Sequence, residues 1–378
     1  MTFGLLDIII FISLFQLAVF VFFLLRTKTK KISNRILAVF LFVQIPIIVN
    51  FECFRLYLII IEFSPHLFYL GAPFILIPAP AFYLYVKSRA YSNFKFTKKH
   101  ISHLLPFLMA VVYLSVVFYF HSGEEKRAIL TNGLFDWRLF HLVFNLGTFI
   151  QFLIYNISSL IVLRDYRRKL ELQYSSIQEI NLKWLTYTLY GFLIAWSASV
   201  TATFSRYYLP AFLPTIVFID YLCFFLFFNF IFYKALIQPE IFSGIEDEKT
   251  ESKKTSLSKG VNEIYVQKLI TYMVKEKPYL VSDITLNDLA ERVSIPPRSL
   301  SEVIHTAFNQ NFYDFINSYR IKESQMLLAD ETAKLKTVSE VLFEVGFNSK
   351  SSFNQAFRKY AGMTPSEFKK NTGILHQN

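Results

Sequence analysis

Apolar and polar residues alternate on two different scales along this chain. Over the first 238 residues the scale is long. Seven apolar stretches, at about 3–25, 36–60, 67–86, 101–121, 139–163, 184–205 and 212–236, are separated by short polar ones. Each is long enough to cross a hydrocarbon core of about 30 Å as a helix. Beyond residue 263 the scale shortens to the 3.6-residue period of amphipathic helices. The stretch between, 239–262 (PEIFSGIEDEKTESKKTSLSKGVN), is rich in Ser, Thr, Lys, Glu and Gly and cannot bury a core. It reads as a flexible linker, and a chain of about 20 such residues reaches roughly 25 Å. The expected fold is all-α: a seven-helix transmembrane bundle (1–238), the linker (239–262) and a soluble helical domain (263–373).

Within the soluble domain, Ile264, Leu269, Ile270 and Met273 mark a first amphipathic helix. Thr285 and Asp288 open a second, TLNDLAERV, in the manner of a capping box. A turn at Ser294 leads to Pro297 and a third helix, with Arg298, Ser301, Glu302 and His305 on its polar face. An uninterrupted helix, NFYDFINSYRIKESQMLLA, follows over about 311–329. The segment Thr337 to Lys370 then reads as helix, turn, helix, turn, helix. Thr337 with Glu340, and Thr364 with Glu367, form capping boxes, and Gly346 stops the first helix through a left-handed cap. Ser349 caps the next, whose apolar stripe is Phe353, Ala356, Phe357 and Tyr360. On its polar face lie Lys350, Ser351, Asn354, Gln355, Arg358 and Lys359, with no acid among them. Asn and Gln pair with adenine edges, and Lys and Arg hold phosphates or guanine, as a DNA recognition helix requires. The domain is thus two helix-turn-helix units joined by one long helix.

The run from Val345 to Phe368 fits V-G-F-x-S-x-S-x-F-x-x-x-F-[RK]-x-x-x-G-x-T-P-x-x-[FY]. It resembles the signature of the AraC-type transcription regulators, and the resemblance extends over about 263–373. In the first unit, Leu289, Ala290, Leu300, Phe308, Phe312, Arg320 and Leu328 match the family pattern. Three positions depart from it: Leu342 replaces a small Ala, Ser294 replaces a turn Gly, and Glu302 stands where a basic residue is frequent. The resemblance implies that each recognition helix enters a major groove. Arg298, Ser301 and His305 in the first, and Lys350, Ser351, Asn354 and Gln355 in the second, become candidates for base contacts. The N-terminus of the last helix, at Thr364, would face a phosphate. The helix over 297–308 has no net charge, whereas 349–360 carries Lys350, Arg358 and Lys359 unopposed, so the second unit is expected to dominate binding. The implied partners are double-stranded promoter DNA and RNA polymerase, with no cofactor and no metal. Two half-site readers on one chain let a monomer bind, with a homodimer through the bundle as the open alternative.

Composition sharpens the membrane assignment. Hydrophobic residues make up 53% of the 378, charged residues only 18%, and Phe alone numbers 43. The net charge of +11 invites a nucleic-acid reading, but its distribution does not. From Pro239 onward 18 Lys and Arg face 18 Asp and Glu, so the first 238 residues carry the whole excess. Arg26, Lys28, Lys30, Lys31 and Arg35 follow the first stretch. Lys87, Arg89, Lys95, Lys98 and Lys99 follow the third, and Arg164, Arg167, Arg168, Lys169 and Lys183 the fifth. The alternate loops hold only Lys126, Arg127, Arg138 and Arg206. Positive charge marks the cytoplasmic side. This predicts a multi-pass protein of the bacterial inner membrane, N-terminus outside and C-terminal domain in the cytoplasm with the DNA.

A few polar residues interrupt the stretches on what would be the outer side. Glu52 and Arg55 share a helix face, as do His141 and Asn145, while Asp220 lies about 12 Å inside its span by helix rise. Charged groups in a span face the bundle interior and mark sites, so Glu52, Arg55, His141, Asn145 and Asp220 are candidates for sensing an unknown small-molecule or membrane-borne signal. Interhelical hydrogen bonding is the plainer role for such groups, and an interfacial position serves equally for Glu52 and Arg55. Pro73, Pro78 and Pro80 should bend the third span. Cys53 and Cys223 lie in apolar stretches with no disulfide or metal spacing. No P-loop, HExxH motif or nucleophile elbow is present. The leading expectation is a non-enzymatic, membrane-embedded, signal-sensing transcription regulator that binds DNA sequence-specifically. The alternatives are a transporter or membrane enzyme with a regulatory DNA-binding tail, and a tail that acts after proteolytic release at the linker.

Overall fold

The computed structural model describes residues 4–26, 32–132, 137–177, 180–237, 259–329 and 336–375. The linker over 239–258 and Lys28, Lys30 and Lys31 lie outside the described residues, as do the side chains of Arg138, His141 and Arg206. In chain order the helices are α1 (Leu5–Arg26), α2 (Ile32–Phe42), α3 (Gln44–Arg55), α4 (Tyr57–Phe63), α5 (Pro78–Ala90), α6 (Lys98–Ile101), α7 (Leu105–Leu114), α8 (Gly123–Asn132), α9 (Trp137–Gln173), α10 (Lys183–Tyr208), α11 (Leu213–Ile237), α12 (Lys259–Glu276), α13 (Leu286–Arg292), α14 (Pro297–Phe308), α15 (Phe312–Ala329), α16 (Val338–Glu344), α17 (Lys350–Ala361) and α18 (Pro365–Leu375). Among the described residues there is no β-strand, only one isolated bridge. The fold is all-α. The chain divides into two units: residues 1–164 with 182–247, and residues 165–181 with 248–378.

Among the described residues, six helical segments are long and apolar enough to cross a membrane: Leu5–Arg26, Ile32–Arg55, Pro65–Ala90, Lys98–Tyr119, Val143–Gln173, whose end from Asp165 belongs to the second unit, and Pro210–Lys234. They correspond to six of the seven expected spans. The other, expected at 184–205, is helical as α10 but falls short of that apolarity, because Thr, Ser and Tyr punctuate KWLTYTLYGFLIAWSASVTATFSRYY. Its 26 residues nonetheless reach about 39 Å, more than a hydrocarbon core. Its Leu185, Leu189, Phe192 and Ala195 are fully or almost fully buried. Phenylalanines weld the first unit: the Phe40 ring lies 5.2, 5.6 and 6.3 Å from those of Phe82, Phe192 and Phe227, joining α2, α5, α10 and α11. Outward-facing side chains are also apolar, with Phe11, Phe15 and Phe22 on α1 61–70% exposed.

Proline shapes two of the spans. The second breaks at Val43, between α2 and α3, because Pro46 has no N–H to give to the Phe42 carbonyl. The third is more than bent. Residues 65–67 and 72–76 are 3-10 turns, Tyr69 is left-handed at φ 63°, and α-helix starts only at Pro78. Backbone carbonyls freed by this unwinding find side-chain donors. The Tyr119 hydroxyl reaches the Tyr69 carbonyl at 2.8 Å, and the Gln151 amide reaches that of Leu76 at 3.0 Å.

The second unit has two cores sharing one helix. Leu269, Met273, Leu289, Leu300, Val303 and Ile304 pack on Phe312, Phe315 and Ile316 of α15. Val341, Leu342, Val345, Phe353 and Phe357 pack on Ile321 and Leu328, further along that helix. The long helix predicted at about 311–329 thus holds both helix-turn-helix units, each buried against its own stretch.

Candidate nucleic-acid interface

Local chemistry sets each helix of the interface. Before α13, the Thr285 N–H donates to Asp288 Oδ2 at 2.9 Å and the Asp288 N–H to Thr285 Oγ1 at 3.2 Å. The Thr285 N–H is the main reason the Asp288 carboxyl lies below its usual range. The same reciprocal pair forms at Thr337 with Glu340 and at Thr364 with Glu367, as their sequence spacing predicts. α13 ends through Ser294 at φ 49°, left-handed without the relief a glycine gives, with the Ile295 N–H closing on the Ala290 carbonyl at 3.0 Å. α16 ends through Gly346 at φ 89°, with the Phe347 N–H on the Leu342 carbonyl at 3.0 Å. A Cβ at Gly346 would stand 2.7 Å from the Leu280 carbonyl oxygen, so both backbone angle and space demand glycine. Leu342, where the family has Ala, is 1% exposed and part of the second core.

The two candidate recognition helices, α14 and α17, present their polar faces as helical periodicity predicts. On α14, Leu300, Val303 and Ile304 are buried while Arg298 and His305 are exposed and Ser301 is half-buried. On α17, Ser352, Phe353, Ala356 and Phe357 are buried while Lys350, Ser351, Asn354, Gln355, Arg358 and Lys359 are all exposed. Lys359 also donates to Asp314 Oδ1 of α15 at 2.6 Å, with Tyr360 Oη on the Asp314 carbonyl at 3.0 Å. An ion pair this exposed is worth about 0–1 kcal/mol, so Lys359 is held but not consumed. Lys350 and Arg358 keep α17 cationic.

Sequence reasoning gave Arg320 a place in the family pattern but no task. It is 1% exposed, and its guanidinium donates to the carbonyls of Tyr279, Val281 and Ser282 at 2.7, 2.7 and 3.0 Å. Burial, the first cause, pushes its pKa down to about 10, which leaves it charged at neutral pH. Glu323, 9% exposed, receives Lys277 at 2.6 Å and the Tyr279 hydroxyl at 2.9 Å. Together these groups fasten the 278–282 loop to the long helix.

In the first unit, three of the five candidate sensing residues fall into polar networks. Glu52 accepts Arg55 at 2.6 Å and the Tyr221 hydroxyl at 2.8 Å, and Arg55 also reaches Asp7 at 2.6 Å. These bonds tie α1, α3 and α11 together. Asp220 accepts the Ser199 hydroxyl of α10 at 2.7 Å. Asn145 is exposed on α9, and His141 occupies the same helix. Tyr221 and Ser199 were missed because a hydroxyl in an apolar helix carries no signal until its partner is known. Among the described residues no His, Cys, Asp or Glu cluster is placed to hold a metal ion.

Residues 289–371 match the family described as a helix-turn-helix domain. Over 89 residues the chain is 33% identical to the Msm operon regulatory protein of Streptococcus mutans, covering 24% of this chain and 31% of that protein. It is 24% identical over 124 residues to the melibiose operon regulatory protein of Escherichia coli, covering 33% of this chain and 39% of that protein. The C-terminal domain of AraT, a response regulator from Geobacillus stearothermophilus, is 25% identical over 28% of this chain and 84% of its own, with a TM-score of 0.25. The chain spans about a third of the length of the two operon regulators. Residues 289–371 form an AraC-type helix-turn-helix domain.

Proposed function

We propose that this chain is a one-piece, membrane-embedded transcription regulator that senses a signal through its apolar helices and binds promoter DNA with its paired helix-turn-helix units. One observation carries the reading: a single chain joins six helices able to span a membrane to an AraC-type domain whose two polar recognition faces are open. Supporting it are the positive loops on one side and the apolar outward face of α1. Large contiguous apolar patches are rare on water-soluble monomers. With α10 as a seventh span, the charge bias puts the N-terminus outside and the DNA-binding unit in the cytoplasm of a bacterial cell. Lys350, Ser351, Asn354, Gln355 and Arg358 read one half-site, while Arg298, Ser301 and His305 read the other. RNA polymerase is the partner through which a bound regulator acts. Sequence selection from a random duplex library with the full chain in lipid nanodiscs tests this. A two-part motif, lost on Arg358→Glu, supports it, and binding without sequence preference refutes it.

A further inference from the structure

The DNA-binding unit contains a piece of chain from far away in sequence. Residues 165–181, the last turns of α9 and the start of the connection to α10, belong to it. Beyond the end of α9, Tyr174 forms an antiparallel bridge with Thr285, the N-cap of α13. Ser175, 2% exposed, donates its N–H and hydroxyl to the Ile284 carbonyl at 3.3 and 2.7 Å. The carbonyl and hydroxyl of Ser175 lie 3.5 and 3.4 Å from the Arg320 guanidinium. Asn348, just before the N-cap of α17, donates to Asp283 at 2.7 Å and reaches the Ser176 hydroxyl at 3.5 Å. Tyr174–Ile177 therefore touches the entry to the first helix-turn-helix, the long helix and the start of the second recognition helix. It is held from behind: Tyr166 and Leu170 are fully buried, and the Tyr166 hydroxyl reaches the Ile180 carbonyl at 2.6 Å.

We propose that Asp165–Ile177 is the transmission element of this regulator, a strap through which a change in the apolar helices reaches the DNA-binding unit. The inference rests on the membrane-regulator reading above. α9 is one helix from Trp137 to Gln173, its residues up to Arg164 in the first unit and the rest in the second. A continuous helix passes on displacement and rotation, whereas the polar composition of 239–258 suits a slack tether. The strap does not act as a cover, since the recognition side chains stay exposed with it docked. It acts by position. Both recognition helices must meet successive major grooves with fixed spacing. The strap binds Thr285 and Ile284 ahead of one helix-turn-helix and Asn348 at the other.

The test uses the full chain in nanodiscs and in cells. Amide exchange should show residues 174–177 and 282–286 protected in the wild type, and both released by Ser175→Pro, which removes the N–H and the hydroxyl. Ser175→Ala keeps the backbone bond and should release them only partly, with melting unchanged. In cells, promoter occupancy is read by DNA crosslinking and sequencing. Occupancy should change about tenfold, within the usual range of couplings, both for Ser175→Pro and for a Gly-Ser-Gly-Ser insertion after Arg164 that interrupts α9. Ten Gly and Ser residues added within 239–258 should change it less than about twofold, since a connection of such polar composition is expected to transmit little. Rapid exchange at 174–177 in the wild type overturns the strap. A larger effect from the linker insertion than from the α9 insertion overturns its role in transmission. Absence of specific sites for the wild type, with 174–177 still protected, instead refutes the regulator reading and with it any signal for the strap to carry.

Discussion

Replacing Gly346 by Ala should loosen the second helix-turn-helix far more than the same change at Gly362. Both residues are left-handed, at φ 89° and 75°. An L-residue there costs about 1–2 kcal/mol from its own backbone. At Gly362 nothing else is added, since a Cβ would have no atom within 4 Å. At Gly346 the Cβ would stand 2.7 Å from the Leu280 oxygen and 2.9 Å from that of Tyr279. Those are backbone atoms of the loop that Arg320 fastens, so they cannot swing aside as a side chain would. Overpacking of this kind costs about 1–3 kcal/mol. Gly346→Ala should thus cost about 2–5 kcal/mol in all, a large share of a typical domain stability of about 5–15 kcal/mol. Native-state amide exchange on the full chain in nanodiscs measures the opening free energy of α16 and α17. Equal losses for the two substitutions would refute the close approach of the Gly346 turn to the 278–282 loop.

Three further outcomes are expected. Lys350→Glu or Arg358→Glu should abolish DNA binding, while Glu302→Gln leaves it unchanged or tightens it; equal losses from both units in a titration would contradict the asymmetry of charge. Ser294→Gly should stabilise the first helix-turn-helix by about 0.5–1 kcal/mol, because glycine adopts φ 49° without the steric cost that serine bears; a lowered melting temperature would argue against it. Acid should weaken the second unit. Asp288, Glu340 and Glu367 are held below their ordinary values of 3.8, 4.5 and 4.5 by the threonine N–H groups they cap. The folded values being the lower ones, their stabilisation is complete above about pH 5 and lost as pH falls through them. The melting midpoint should be flat down to that pH and decline below it, less so in Glu340→Gln with Glu367→Gln; a decline of the same size in that variant removes the caps as its cause.

What the sequence made legible was mostly local. A capping box, a proline at a first helical turn and Gly346 after an apolar run each fix a boundary through atoms a few residues apart, and α13, α14, α16 and α18 begin, and α16 ends, where those signals stand. The polar faces of α14 and α17 followed from the same helical period. Less legible were features that depend on distant partners. Prolines 73, 78 and 80 announced a bend, but unwinding of the third span needs Tyr119 and Gln151 to receive its carbonyls. α10 is polar enough to blur the count of spans, and its burial shows only once Phe40, Phe82 and Phe227 surround Phe192. The Ser175–Ile284 bond joins residues 109 apart, and nothing in YSSI marks it as part of a DNA-binding unit. Arg320 stood in a family pattern, yet its role appears only with the loop carbonyls it gathers.

In the proposed function, one uncleaved chain holds DNA from the membrane. DNA crosslinking in cells with C-terminally tagged full-length protein, followed by sequencing of membrane and soluble fractions separately, addresses it most directly. A small set of sharp sites is expected in the membrane fraction, bound by full-length protein and lost on Arg358→Glu. Sites found only in the soluble fraction, carried by a shortened tagged fragment, would contradict it.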